Sequence, residues 1–564
     1  MLRYWRSNMS IKKILQRLDE RNLDAYIITH NNCFLGQDIS DKENKIRKLC
    51  GFSGSSGMLV VSKKGCFLFV DGRYELQAKK EVNLSQITIV HQMPNLNNVC
   101  ALLVENGLMR IGFDGWCFSI AEMQSIKLCY ENISFSDVGN WADGNTPDML
   151  QIKERETQYS GEDSKQKCQR VFKKLKDLGA DYCLLTAADS VSWLLNIYVR
   201  DLPYTPIVRG YALWNLHTKK ITLFADNLQS DILSVKPMYK LAEFLHECDK
   251  RIVCDFGTTP LRLLNPCLQH VKDVCQELKA QKNEKEIWGM NMCHIRDGVA
   301  VVRLLMWLEK NWQGKTELDV VQKLHELRSE QELFFSESFA TIAAVGANGA
   351  VVHYQPNEAT NKKLEQGKLL LIDSGGQYMD GTTDVTRTIA LGVPADTEID
   401  YFTQVLKAHI AVADAQFPFA TTGQRLDALA RAPMWKKGFD YKHGTGHGVA
   451  CFGNVHEGPI GISEKNNYGF NEGMVTSIEP GIYMENQFGI RIENLYFTQQ
   501  QENGFLKFVP LTRVPIDKKL ININLLNADE RNWLNSYHEA VYYWLHKRLS
   551  AEEKKWLHEA CAPI

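Results

Sequence analysis

KLLLIDSGGQYMDGTTDVTRTIAL, residues 368–391, decides the reading of this chain. Its first part is a continuous apolar run closed by an acid, the pattern of a buried strand that presents Asp373 at its exit. GGQYMDG then turns, and DVTRTIAL alternates as a second strand beginning at Asp384. A hairpin of this kind brings two aspartates close across neighbouring strands. Two such carboxylates need a cation between them to remain ionised; taken alone, Asp384 has a turn or surface role as its alternative.

Three further stretches extend the pattern: HGTGHG (443–448), SIEPGIY (477–483) and GIRIEN (489–494). Glycines around His443 and His447 disfavour a helix and allow close backbone approach to a ligand, and the glutamate of an H-E-x-x-H zinc helix is missing. Glu479 precedes Pro480-Gly481, a turn after the short strand MVTSI. Arg491 and Glu493 are two apart, hence on one face of a strand, and Arg491 is a candidate cation for orienting a ligand carboxylate. A plain structural ion pair would look the same. Asp373, Asp384, His447, Glu479 and Glu493 together offer four carboxylates and one imidazole, a donor set for two hard divalent cations. If they converge, the chain is a hydrolase that activates water between two metals. His353 in AVVHYQP, His443, and His456 in NVHEGP are the candidates for donating to an oxyanion or protonating a leaving amine.

A chain of 564 residues exceeds what one hydrophobic core serves, so several domains are expected. A net charge of -2 argues against nucleic-acid binding driven by bulk positive charge. The fifteen cysteines are odd in number, scattered and without a C-x-x-C pair, which favours thiols in a reducing compartment over disulfides or structural zinc. No run of eighteen apolar residues suggests a membrane span. The basic N-terminus has no secretory core; it reads as the approach to an amphipathic helix over 11–22, with Ile11, Ile14, Leu15 and Leu18 on one face. An organellar presequence and a start at Met9 are the alternatives.

ILQRLDERNLDAYIIT (14–29) aligns without a gap to VFKKLKDLGADYCLLT (171–186), each a helix, a turn and a buried strand. CFLFVDGRY (66–74) echoes ITLFADNL (221–228) at nearly the same offset, so two copies of one α/β module are expected. Residues 151–168 read as the linker and helix start between them. HIRDGVAVVRLLMWLEKNW (294–312) reads as a long amphipathic helix, Lys368 to about Phe508 as strand-rich, and 527–564 as helical from capping boxes at Asn527/Glu530 and Ser550/Glu553.

VVHYQP, LIDSGGQYMDGTTDVTRTIALG, YKHGTGHGVACFGNVHEGP, SIEPGIY and FGIRIENLYF resemble the pita-bread metallopeptidase family, and within it the long, three-domain cytosolic aminopeptidase P branch. GFSGSSG with VDGRYELQA looks like the first domain of that family, and DSVSWLLNIYVRDLPYTP like the second. The resemblance implies an α/β and α+β multidomain chain: creatinase-like domains at 1–150 and 151–281, then a pita-bread catalytic domain with a helical extension at 282–564. It implies that Asp373 chelates one metal, Asp384 and Glu493 bridge both, and His447 and Glu479 complete the other. Glu479 is similar to the family's proposed general base. His353 and His456 would bind substrate or stabilise the tetrahedral intermediate, and His443 would hold substrate or shuttle a proton. The implied cofactor is two divalent ions, Mn(II) in most relatives, and the implied substrate a peptide with proline second. A cytoplasmic homodimer with no nucleic-acid or membrane partner completes the expectation. Tyr354 is a candidate wall of an apolar pocket for the proline ring. Ala450 departs from the glycine of many relatives without removing a ligand. Alternatives on the same fold are a prolidase, a methionine aminopeptidase, a metal-free enzyme such as creatinase, and an inactive binding protein.

Overall fold

Ser10 caps the first helix, α1 (Ile11–Glu20), by accepting the Lys13 amide, and Ile14 and Leu18 bury its inner face. This is the start of a computed structural model that describes residues 10–36, 39–40, 43–141 and 149–564. The basic segment before residue 10, with the Met9 alternative, lies outside the described residues. None of the cysteines forms a disulfide among the described residues.

The chain divides into two units. The first holds residues 1–154, 163–202 and 207–275. Its first half contains β1 (Ala25–Thr29), β2 (Met58–Ser62), β3 (Gly65–Val70), β4 (Ile87–His91), β5 (Arg110–Phe113) and β6 (Ser134–Asp137), ordered β4-β3-β2-β1-β5-β6. Its second half contains α2 (Ser164–Leu175), β7 (Tyr182–Leu185), β8 (Tyr211–Asn215), β9 (Ile221–Phe224), β10 (Val235–Lys236), β11 (Ile252–Cys254) and β12 (Leu268–His270), ordered β10-β9-β8-β7-β11-β12. The two sheets share strand order and every strand direction: the central strand pairs antiparallel on one side and parallel on the other. The repeat read between 14–29 and 171–186 is therefore a repeat of the fold. Each central strand is buried almost throughout, as expected of parallel pairing covered by helices.

The second unit comprises residues 155–162, 203–206 and 276–564. Residues 155–162 are more than the linker read from sequence. Arg155 is buried, donates to the Cys451 carbonyl at 2.8 Å and lies over the Phe452 ring. The long helix α3 (Glu284–Asn311) begins ten residues before position 294, because Asn283 and Glu286 form a capping box inside the charged stretch. Its buried Asp297 takes two hydrogen bonds from Arg328 of α4 (Glu317–Ser329), at 2.8 and 3.1 Å. Arg328 also donates to Ser374, next to Asp373, at 3.1 Å.

Three strands, β13 (Phe334–Glu337), β14 (Ile342–Val345) and β15 (Lys368–Ser374), precede β16 (Gly376–Tyr378), β17 (Gly381–Thr382) and β18 (Val385–Leu391). They form two small sheets, β14-β15-β18 and β13-β16-β17. The region to Phe508 is strand-rich as expected, but it also holds α5 (Asp396–Ala413) and α6 (Gly423–Trp435). Neither helix has a capping side chain at its N-cap position, although the Ala395 amide at the start of α5 donates to the Glu398 carboxylate at 2.9 Å, and α6 contains Pro433. The remaining strands are β19 (Gln416–Pro418), β20 (Gly446–His447), β21 (Gly461–Ile462), β22 (Val475–Ile478), β23 (Gly481–Met484), β24 (Phe488–Arg491), β25 (Asn494–Gln500) and β26 (Phe505–Pro510). The tail folds as α7 (Ala528–Leu545) and α8 (Ala551–Ala560), both starting at the expected capping boxes.

Candidate metal centre

β15 and β18 run antiparallel with Asp373 opposite Thr386, which leaves Asp384 just ahead of β18 and close to the exit of β15. Asp384 thus belongs to the turn rather than to the strand expected to begin with it. Gly375 makes the return possible: a Cβ there would meet the Thr383 carbonyl at 1.9 Å. Gly446 does the same for the histidine loop, since its Cβ would meet the Ser477 carbonyl at 1.9 Å. Backbone contact at that point lets the His447 amide donate to Ser477 Oγ at 3.0 Å and the Glu479 amide to the Thr445 carbonyl at 2.7 Å. Glu493 follows β24, whose last residue is Arg491, so the two do not share a strand as expected. The Glu493 amide donates to the Thr386 carbonyl at 3.2 Å, and Thr386 Oγ1 donates back to Glu493 Oε2 at 2.8 Å.

The sequence-predicted ligands converge. Ligand atoms of Asp384, His447 and Glu493 all lie within 4.8 Å of one another. His447 Nε2 is 3.5 Å from Asp384 Oδ2 and 3.4 Å from Glu479 Oε1. His447 Nδ1 lies 3.0 Å from the Gly448 carbonyl and acts as donor there, which turns the Nε2 lone pair toward the carboxylates. Asp373 Oδ1, Asp384 Oδ1 and Glu493 Oε1 are buried with no hydrogen-bond partner. Burial, then the charges of Asp373 and Glu479, push the Asp384 carboxyl well above the usual range. Glu493 is raised well above its usual range by burial and by Asp384, Glu479 and Asp373. Glu479 is raised by burial, with Asp373 adding to it while His447 and Arg491 pull it back. Converging carboxylate oxygens without donors, beside an imidazole lone pair, form a donor set that fits hard divalent cations.

Around these groups runs a directed hydrogen-bond chain. Arg491 Nη2 donates to Asp373 Oδ2 at 2.5 Å and Nη1 to Tyr483 Oη at 2.7 Å. Burial opposes the Arg491 charge, but Tyr483, Asp373 and Glu479 hold its pKa well above the ordinary value. His443 Nδ1 meets the Gly444 carbonyl at 2.8 Å, so Nε2 accepts from Tyr483 Oη at 2.8 Å. The orienting role expected of Arg491 therefore falls on Asp373. Tyr483 was not among the sequence candidates. Tyr483 lies on β23, beyond the Pro480-Gly481 break that follows Glu479, so strand periodicity did not mark it.

His456 packs edge-on against His447, with ring centroids 4.2 Å apart, while its neighbour Glu457 donates its amide to the Gly448 carbonyl at 2.7 Å. His353 is half-buried, next to Val352, whose carbonyl accepts from Arg491 at 3.4 Å. Tyr354 is buried. Its hydroxyl is 2.8 Å from Glu317 and 3.0 Å from the Thr360 carbonyl, so it serves a buried polar cluster. No described helix is long and apolar enough to cross a membrane.

Comparisons with known proteins agree with this arrangement. Residues 10–144 and 145–286 each match a creatinase/prolidase N-terminal domain, 289–500 match metallopeptidase family M24, and 504–564 match the C-terminal region of that peptidase. Xaa-Pro aminopeptidase 1 of Dictyostelium discoideum is 33% identical, over 98% of this chain and 96% of its own length. The crystal structure of the Caenorhabditis elegans X-prolyl aminopeptidase, described as a cytosolic enzyme with a di-nuclear active site, superposes with a TM-score of 0.93 at 31% identity. It covers 98% of this chain and 99% of its own. The prolidase of Pyrococcus horikoshii, at 23% identity and a TM-score of 0.51, covers 62% of this chain and 99% of its own, and shares the fold. The chain therefore belongs to the Xaa-Pro aminopeptidases of metallopeptidase family M24, in their long form with two creatinase/prolidase-type N-terminal domains.

Proposed function

We propose that this chain releases the N-terminal residue from peptides with proline in the second position. Asp373, Asp384, His447, Glu479 and Glu493 would hold two divalent cations, with Mn(II) as the metal. The observation that carries this reading is the convergence of Asp384 and Glu493, each with a buried carboxylate oxygen that has no hydrogen-bond partner, on the imidazole of His447. Bound cations of this kind polarise a carbonyl and make water a nucleophile at neutral pH. Glu479, beside His447 and Ser477, takes the proton of the attacking water and returns it to the proline nitrogen as the peptide bond breaks. His456 and His353 donate to the oxygen of the tetrahedral carbon. His443, held by Tyr483, supports substrate on the adjoining side, and Arg491 aims Asp373. An X-Pro bond has no N–H for ordinary proteases to hold, so catalysis here rests on carbonyl activation.

The reading extends to a cytoplasmic homodimer with domains at 1–150, 151–281 and 282–564. The full-length likeness to the cytosolic C. elegans enzyme supports the location. It also favours an aminopeptidase over a prolidase, because the prolidase match leaves over a third of this chain uncovered. A substrate panel on metal-stripped and Mn(II)-restored protein tests the proposal, using X-Pro-Y tripeptides, X-Pro dipeptides and Met-Ala peptides. Restored protein is expected to free the first residue of the tripeptides. Turnover confined to dipeptides would assign a prolidase, and turnover of Met-Ala peptides alone a methionine aminopeptidase.

A further inference from the structure

Arg387, in β18 next to Thr386, is buried at 2% exposure, and every acceptor of its hydrogen bonds is uncharged. Nη1 donates to the carbonyls of Glu493 at 2.7 Å and Thr386 at 2.8 Å. Nη2 donates to Asn494 Oδ1 and the Val514 carbonyl, each at 2.7 Å, and to Tyr537 Oη at 2.9 Å. Nε donates to the Pro515 carbonyl at 3.0 Å. A buried guanidinium without a carboxylate partner is costly, and an apolar side chain would pack there more cheaply if packing were the only requirement. What the guanidinium does is join four pieces of chain: β18, the link from Glu493 into β25, the segment after β26, and helix α7.

One of those pieces aims a candidate ligand. Glu493 is held by its amide and one carboxylate oxygen on Thr386 and by its carbonyl on Arg387, which leaves Oε1 as the atom without a partner. Arg387 is in turn set by Tyr537, whose hydroxyl passes the hydrogen bond on to the Val514 carbonyl at 2.8 Å and whose ring stacks on Trp533 at 5.5 Å. We propose that the C-terminal helix α7 takes part in metal retention: Tyr537, acting through Arg387, is a positioning residue that fixes the link aiming Glu493. This rests on the reading of Glu493 as a metal ligand. Groups that orient ligands from behind typically account for roughly 10- to 100-fold in metal affinity.

The test is calorimetric titration of Mn(II) chloride into metal-stripped full-length protein, with Tyr537→Phe, Arg387→Lys and Leu534→Ala as variants. Leu534 is fully buried one turn before Tyr537 on the same helix and its side chain carries no hydrogen-bonding atom, so its truncation loosens the packing of α7 while keeping every donor and acceptor of the Arg387 network. Tyr537→Phe is expected to raise the Kd roughly tenfold. At saturating Mn(II) its kcat and KM should return to wild-type values. Arg387→Lys should weaken binding further, and if it fails to fold, Tyr537→Phe decides alone. Leu534→Ala should lower the melting temperature with Kd unchanged. Wild-type Kd in Tyr537→Phe, or an equal loss in Leu534→Ala, would overturn the positioning role. Wild-type protein that binds no Mn(II) would instead overturn the metal reading beneath it.

Discussion

Replacing Glu479 with Gln is expected to lower kcat on X-Pro-Y peptides by on the order of 10²- to 10⁴-fold, the range for a positioned proton-transfer group. The side chain keeps its shape and loses its basicity. Its carboxylate lies 3.4 Å from His447 and accepts from Ser477 Oγ at 3.2 Å. Because Glu479 is also placed among the ligands, the comparison belongs at saturating Mn(II), with metal content measured on the same samples. Full metal content with a collapsed kcat separates proton transfer from metal loss. Near-normal turnover would remove Glu479 from the proton-transfer role.

Stripping the cations is expected to destabilise the catalytic unit more as pH rises. Asp384, Glu493 and Glu479 all have carboxyl groups raised by burial and by one another. In the unfolded chain they titrate near the ordinary value of about 4. The stripped native state therefore binds more protons than the unfolded state between that value and the raised ones. The stability contributed is complete below about pH 4 and is lost as pH climbs through the native values. Cations bind the ionised forms and replace the missing positive charge. A cation at a thousandfold excess over its Kd adds about 4 kcal/mol, which corresponds to a rise in melting temperature on the order of 10 °C for a unit of this size. Melting curves of chelated and Mn(II)-loaded protein should show a gap that widens from pH 5 to pH 8. A gap that is constant across this range would mean that the carboxylates are not the groups neutralised.

Much of this was readable from residues alone. The doubled α/β module was legible because helix, turn and strand recur in matched segments, and the tail helices because their capping boxes are local. The candidate ligands were legible because each sits at a strand exit or in a glycine-rich loop, where composition departs from what packing alone requires. What escaped depends on long-range contact. Tyr537 meets Arg387 across 150 residues, and Arg155 meets Cys451 across 296. No local pattern marks either pair, and 155–162 reads as linker because its polarity is local while its partner is distant. The hydroxyl of Tyr354 escaped for the same reason: Glu317 on α4, distant in sequence, takes its hydrogen bond. Helices α5 and α6 were missed because neither N-cap residue, Ala395 or Thr422, makes a side-chain cap, and α6 contains Pro433.

The most direct measurement is stepwise addition of Mn(II) to stripped protein, with bound metal counted by native mass spectrometry and X-Pro-Y hydrolysis followed in the same samples. Two ions per chain are expected, with turnover absent in the stripped protein and recovered as both sites fill. Hydrolysis that persists in fully stripped protein, or a chain that saturates with no bound metal, would contradict a catalytic centre built from Asp373, Asp384, His447, Glu479 and Glu493.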